Sequence, residues 1–288
     1  MANIRLVRRR IKGVQSIAKI TRAMEMIATS KMRRTQERGL AGRPYAEKIH
    51  QVISDLAAIP NGEQPIHPLL QVRPISKIAI VHITPDRGLC GGLIANINRS
   101  AGSFILQQKN PVELVCVGRK GLDFMQHFNR SIRAEFTWLG DQPGLLDTLP
   151  ISRIIIDDYT AGMVDAVYLS YTRFVSTLVQ KPVIEPVLPV EPAVIPRAEN
   201  VEYIYEPDAQ GVLAGLLPRF VEMEVYHAIL EAIASEQSAR MVAMRNATDN
   251  AKDLVDDLTL VYNKARQEAI TTELLDITGG VVALSAET

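Results

Sequence analysis

The sequence predicts a long antiparallel two-helix coiled coil, built from the N- and C-terminal segments, with a small Rossmann-like α/β domain between them. Three observations predict it. From Arg219 to Thr278 neither Gly nor Pro occurs across 60 positions, a window that as continuous helix would be about 90 Å long. The first 59 residues are nearly as clean, interrupted only at Gly13 and then at Gly39, Gly42 and Pro44, where a bend or local irregularity is expected. Between these stretches, short apolar runs of strand type alternate with helical patterns, the signature of a doubly wound sheet. The resulting division is 1–59 for the first coiled-coil helix, 75–200 for the α/β domain and 211–288 for the second helix.

Within the middle domain, residues 77–84 (KIAIVHIT) read as a strand, followed by a Gly-rich turn and a helix from about Leu93 to Gln108. A strand at Val112 to Val117, a short helix at Leu122 to Phe128 and a strand at Ile132 to Trp138 come next. A helix from Ile151 to Thr160 and a strand from Ala166 to Thr172 complete the alternation. Residues 181–197 carry prolines at 182, 186, 189, 192 and 196, too many for a helix or a central strand, so an extended edge or a passive connector is expected there.

The terminal helices carry stripes. In the second, Met223, Tyr226, Leu230, Ile233, Gln237, Met241, Met244, Thr248, Ala251, Val255, Leu258, Tyr262, Ala265 and Ala269 recur in alternating threes and fours, the heptad pattern of a left-handed coiled coil. In the first, Ile4, Val7, Ile11, Val14, Ile17, Ile20, Met24 and Ile27 form a comparable stripe whose shorter mean step implies tighter winding. Residues 1–59 hold 13 Lys and Arg against 4 acids, and residues 219–278 hold 6 against 11, so opposite charges favour the two lying together. Surface pairs contribute little each, and the apolar seam must supply most of the affinity. Gln237, Thr248 and several alanines weaken that seam, and polar residues recur over 271–278, so the helix end calls for contacts outside the chain.

Composition narrows the function. Of 288 residues, 47% are hydrophobic and 22% charged, which excludes wholesale disorder, and a net charge of zero removes the simplest argument for a nucleic-acid binder. Two cysteines, Cys90 and Cys116, are too few for a secreted disulfide framework and fit a reducing compartment. No signal peptide or membrane-length apolar run appears, so a soluble or peripheral protein is expected. A basic cluster at Lys31, Arg33, Arg34, Arg38 and Arg43 would suit phosphates, but no aromatic interleaves before Tyr45 to stack bases, and an acidic protein partner explains it equally well.

No catalytic constellation emerges. The Gly-rich loop 85–92 (PDRGLCGG) joins a strand to a helix as phosphate loops do, yet its spacing matches neither dinucleotide nor Walker fingerprints, and a tight turn is the simpler reading. Five scattered histidines offer no metal motif, and no base can be assigned to Cys90 as a nucleophile.

Four tracts carry a resemblance. Residues 19–33 (KITRAMEMIATSKMR), the loop 86–92 (DRGLCGG), and 235–250 (SEQSARMVAMRNATDN) with 261–267 (VYNKARQ) are similar, in order and over essentially the whole chain, to the γ subunit of F-type ATP synthase. The resemblance implies a non-catalytic rotor shaft without cofactor, metal or small-molecule substrate, and no nucleic-acid partner. Its partners would be the α and β subunits of the α3β3 ring, the ε subunit and the membrane c ring, at the cytoplasmic face of a bacterial membrane. It would couple proton or sodium flow to ATP synthesis at the β subunits. By the same resemblance Met24, Lys31, Arg33 and Arg34 would face the acidic lever loop of β. Arg240, Gln267, Thr271 and Glu273 would catch β loops near the upper shaft, and Tyr203, Tyr205 and Glu206 would form the foot near the c ring and ε. Plant chloroplast members carry an inserted cysteine pair for redox control. Here Pro-rich sequence fills that stretch, which argues against thiol regulation.

Overall fold

A computed structural model describes residues 4–57, 67–190 and 208–286. The chain is α1 (Ile4–Ala57), a 3-10 turn (Pro68–Leu70), β1 (Ile78–Ile83), α2 (Leu93–Gln107), β2 (Val112–Val117), α3 (Arg119–His127), β3 (Ile132–Phe136), α4 (Leu145–Thr160), β4 (Ala166–Phe174), β5 (Gln180–Leu188) and α5 (Ala209–Ala286). Residues 28–240 form one compact unit, and residues 1–27 with 241–288 form another.

In the first unit the strand order is β3-β2-β1-β4-β5. The first four strands run parallel and β5 returns antiparallel to β4. All six residues of β1 are buried, as a central strand covered on both faces requires. One apolar cluster joins the sheet to α4, to α5 through Leu217, Val221, Val225 and Ile229, and to Ile49 and Ile53 of α1. The opposite face packs on α2 and α3 through Ile97, Ala101, Ile105, Leu122 and Met125. The proline-bearing segment is no connector over 180–188: Pro182 and Pro186 sit in β5, an edge strand, where a missing N–H leaves no ladder bond unmade.

Several element ends differ from the sequence reading by a few residues, the start of α4 most. Helix α4 begins at Leu145, six residues earlier, and carries Pro150 inside it, with Asp147 Oδ2 accepting the Gly144 N–H at 2.8 Å. Helix α5 starts at Ala209 and runs through Gly211, Gly215 and Pro218. Burial of Leu213, Leu217 and Phe220 against the core offsets the local cost of those residues. Helix α1 likewise continues through Gly39, Gly42 and Pro44.

His82 is a polar residue in the middle of β1. Its Nε2 lies 2.9 Å from Asn98 Oδ1 and its Nδ1 3.2 Å from Ser170 Oγ. Since Asn98 spends its amide N–H on the Lys120 carbonyl, Nε2 donates to Asn98 and Nδ1 accepts from Ser170. Burial pushes the His82 pKa down to about 4, only partly opposed by the Asn98 bond, so the ring stays neutral.

The second unit is an antiparallel coil. Thr21 Oγ1 and Thr248 Oγ1 are 2.7 Å apart and buried. Counting away from that contact in opposite directions brings Ala18 to Ala251, Val14 to Val255, Ile11 to Leu258, Val7 to Tyr262 and Ile4 to Ala265. Each of these ten residues is buried or half-buried. Counting in the same direction would bring Ala18 to Arg245, which is exposed, so a parallel pairing fails. The stripe anticipated on α5 is the seam. On α1 the anticipated stripe is the seam from Ile4 through Val14 and then leaves it: Ile17, Ile20 and Ile27 are 54, 59 and 55% exposed, while Ala18 and Thr21 point inward. The inward row steps 4, 7, 11, 14, 18, 21, so α1 keeps the same alternation of threes and fours as α5 and the expected tighter winding is absent. Around the Thr21–Thr248 contact the inward positions are small, Ala18 and Ala251, and the bulkier Ile17 and Ile20 beside them are left outside.

Two predictions follow from these buried polar groups. The unfolded chain binds a proton on His82 below pH about 6.5 and the folded chain only below about 4, so stability falls as pH drops through that window, by about 2 kcal/mol at pH about 5. Urea midpoints of the wild type and His82→Gln at neutral and acid pH test this, and an identical pH slope in both would refute it. In the coil each hydroxyl also faces a carbonyl of its own helix, Thr21 that of Ile17 at 3.1 Å and Thr248 that of Met244 at 2.8 Å, so one threonine donates along its helix and accepts from the other across the seam. A double-mutant cycle of Thr21→Val and Thr248→Val, read by thermal unfolding, is expected to show coupling of about 0.5–1.5 kcal/mol, and simple additivity would contradict the bond.

Candidate partner-binding surfaces

In open parallel sheets ligands bind beyond the carboxyl ends of the strands. Here that crevice is lined by Thr84, Pro85 and Asp86 after β1, by Val117 and Gly118 after β2, and by Phe136, Leu139 and Gly140 after β3. Ile229, Ala232, Ile233 and Glu236 of α5 close it to a cavity of about 50 Å³. Gly118 is obligatory: its φ is +92°, and a Cβ would fall 1.8 Å from the Thr84 carbonyl oxygen. Asp86 is consumed by the structure, accepting from Arg119 N at 2.9 Å and from Trp138 N at 3.0 Å. The Gly-rich loop makes a tight turn, with Leu89 at φ 65° and Gly91 at φ 60°. The helix therefore occupies the volume a nucleotide would need.

The thiols are equally inert. Burial raises the pKa of Cys90 and pushes that of Cys116 up to about 12, so both stay protonated near neutral pH. Among the described residues no group of three or more His, Cys, Asp or Glu is placed to hold a metal ion.

The basic stretch of α1 divides into two sets. Lys31 Nζ donates to Asp141 Oδ2 at 2.6 Å. Arg38 donates to the carbonyl and the Oε1 of Gln142 at 3.4 and 3.0 Å. Arg33 meets only Glu37, four residues on and itself largely exposed, and Arg34 is exposed. Met24 is half-buried, with Met26 exposed nearby.

Arg240 points into the fold. Its side chain is 11% exposed, pairs with Glu236 at 2.7 Å and donates to the Gly88 carbonyl at 3.1 Å. Desolvation raises the Glu236 pKa while Arg240 opposes the shift, so the pair depends on both members. Gln267, Thr271 and Glu273 are exposed, and Thr271 donates to the Gln267 carbonyl of its own helix at 2.9 Å. Tyr203, Tyr205 and Glu206 lie outside the described residues.

The sequence reading missed the loop that receives Lys31 and Arg38. Its Gly-Asp-Gln-Pro-Gly signature at 140–144 marks a turn, but nothing in it names a partner on a helix more than a hundred residues away. It also missed Trp138, which is exposed at φ 62° with the Arg87 guanidinium 5.7 Å from its ring centroid. Leu89 and Trp138 are bulky residues held in the left-handed region, a conformation that needs support from the loops around it.

The comparisons with known proteins agree with one another. The ATP synthase family model matches residues 3–284. The ATP synthase gamma chain of Dehalococcoides mccartyi (strain ATCC BAA-2266 / KCTC 15142 / 195) is 66% identical over 99% of this chain and 100% of its own length. That of Roseiflexus castenholzii is 50% identical over 99% of both chains. Among solved structures, a chain of the Tetrahymena thermophila mitochondrial ATP synthase central stalk and c-ring is 25% identical with a TM-score of 0.62, covering 79% of this chain and 99% of that one. A chain of the Euglena gracilis mitochondrial ATP synthase shares the fold at 20% identity with a TM-score of 0.67, covering 98% of this chain and 95% of that one. With a family model matched almost from end to end and two-thirds of its positions shared with a full-length relative, the chain belongs to the gamma chains of ATP synthase.

Proposed function

We propose that this gamma chain, the non-catalytic central-stalk rotor of an F-type ATP synthase, works by presenting an unevenly apolar and charged coil to the α and β subunits around it. Turning such a surface favours different β conformations at different angles, which is population shift by differential contact. Transmembrane proton or sodium flow is thereby coupled to ATP synthesis at the β subunits.

The observation that carries this reading is apolar surface without an intrachain cover. Ile17, Ile20 and Ile27 on α1 and Leu254, Leu260 and Val261 on α5 are exposed. Past Ala265, which faces Ile4 at the start of the described part of α1, α5 continues to Ala286 with Ile270, Leu274, Leu275 and Ile277 exposed. A protein selected to stand alone rarely displays so many aliphatic side chains in one element.

The remaining assignments are part of the same proposal. Met24, Lys31, Arg33 and Arg34 face an acidic lever loop of β, with Arg33 and Arg34 the two cations held by no other element. Gln267, Thr271 and Glu273 engage β loops through polar contacts, whereas Arg240, expected beside them, is spent within the chain on Glu236 and the Gly88 carbonyl. Tyr203, Tyr205 and Glu206 belong to the foot that meets ε and the c ring. No helix among the described residues is long and apolar enough to cross a membrane, so attachment to the cytoplasmic membrane face runs through those partners.

Reconstitution with purified α and β tests the whole reading: stoichiometric assembly with ATP-driven rotation is expected, and a chain that assembles with neither would end it. Ile17→Gln with Ile20→Gln is expected to change the stability of the isolated chain by less than about 0.5 kcal/mol, because both side chains are exposed. The same pair should weaken assembly, since burying each isoleucine contributes roughly 1.5–3 kcal/mol. Unchanged affinity for the ring would show that this face is not covered. Arg33→Glu with Arg34→Glu should leave helical content unaltered and lower ATPase turnover of the assembled complex. Wild-type turnover would remove these arginines from the contact.

A further inference from the structure

Within residues 28–240, three loops at the carboxyl ends of the parallel strands are each bonded to a long helix. The loop after β1 is held by Arg240, which donates to the Gly88 carbonyl at 3.1 Å while paired with Glu236. The loop after β3 is held by Lys31, at 2.6 Å from Asp141, and by Arg38 on Gln142. At the β4–β5 hairpin, Ser235 donates to the Thr172 carbonyl at 2.9 Å and Ser238 to the Thr177 carbonyl at 2.8 Å, while Gln180 Nε2 donates to Ser238 Oγ at 3.3 Å. Asp86 cross-braces the set by accepting from both Arg119 N and Trp138 N.

At about 100° per residue, Ser235 and Ser238 lie on one side of α5 and Glu236 and Arg240 on another, so the helix is gripped from two directions. That arrangement matters because, beside an ion pair between Glu231 and Arg173 of β4 at 3.8 Å, the main packing of α5 on the sheet is apolar. Leu217, Val221, Val225 and Ile229 hold α5 to the sheet without regard to direction, so they oppose separation far more than rotation of the helix about its own axis. Hydrogen bonds are directional and set the azimuth.

We propose that these three loops form a polar clamp that fixes the azimuth of α1 and α5 against the sheet, and that torque passes between the long helices and the α/β domain through it. Arg240, Glu236, Ser235, Ser238 and Asp141 are its positioning residues. The inference rests on the rotor reading and adds to it the place where load enters the domain.

The test uses the complete ATP synthase in sealed vesicles, comparing the wild type with Ser235→Ala/Ser238→Ala, with Asp141→Asn and with the triple variant. ATP hydrolysis is expected to stay at the wild-type rate. Ion uptake per ATP hydrolysed is expected to fall in each variant and to be largely lost in the triple variant, together with the torsional stiffness measured by a bead fixed to the α/β domain. Wild-type uptake and stiffness in the triple variant would overturn the clamp and leave the rotor reading untouched. Absence of ATP-driven uptake in the wild-type complex would instead overturn the rotor reading. The serine substitutions remove only hydroxyls, so they carry the test even if Asp141→Asn assembles poorly.

Discussion

The alternation of threes and fours along α1 and α5 is the constraint on which the coil depends. Two helices stay in contact over many turns only if each presents a row that advances 3.5 residues per turn, and the row from Ile4 to Thr21 and the row from Thr248 to Ala265 both do so. The Thr21–Thr248 hydroxyl pair lies within that seam, where its geometry selects one register and one direction. Alanines at 18, 251 and 265 share the inward row with Val, Ile and Leu, while Ile17, Ile20, Leu254 and Leu260 lie on the outside. The same choice that makes the pair a slender axle supplies it with an apolar exterior for other subunits to cover.

The α/β domain has the architecture of a ligand-binding sheet without the vacancy. Its crevice is closed by α5, its acidic side chain at Asp86 is spent on two backbone amides, and its central histidine is neutral and locked between Asn98 and Ser170. Asp86, Arg240 and Asp141 at the carboxyl edge hold loops and helices in place. Such a domain fits a non-catalytic rotor subunit.

Much of this was legible in the sequence, and the errors have one cause. Strand runs such as 78–83 and the heptad stripe of α5 are strong local signals, and both stand as read. The stripe of α1 holds from Ile4 to Val14 and departs at Ile17 and Ile20, where the inward positions belong to the smaller Ala18 and Thr21. The pattern of the sequence starts α4 at Ile151, just after a proline that local propensity disfavours, yet packing against the core carries that helix back through Pro150 to Leu145. Arg240 shows the limit most clearly: its role toward Gly88 joins residues 152 positions apart.

By itself the sequence determined where long helices are permitted, that their contact would have heptad periodicity, that the middle would be a mainly parallel sheet, and to which family the motifs belong. These properties are local or nearly so, written in the spacing of apolar, Gly and Pro residues. Only the tertiary structure decided which of two neighbouring rows on α1 faces inward, that α5 fills the crevice of the sheet, and which loops grip Arg240, Ser238 and Lys31. Those outcomes turn on the shape of a surface made by distant segments, which no window of a single chain contains.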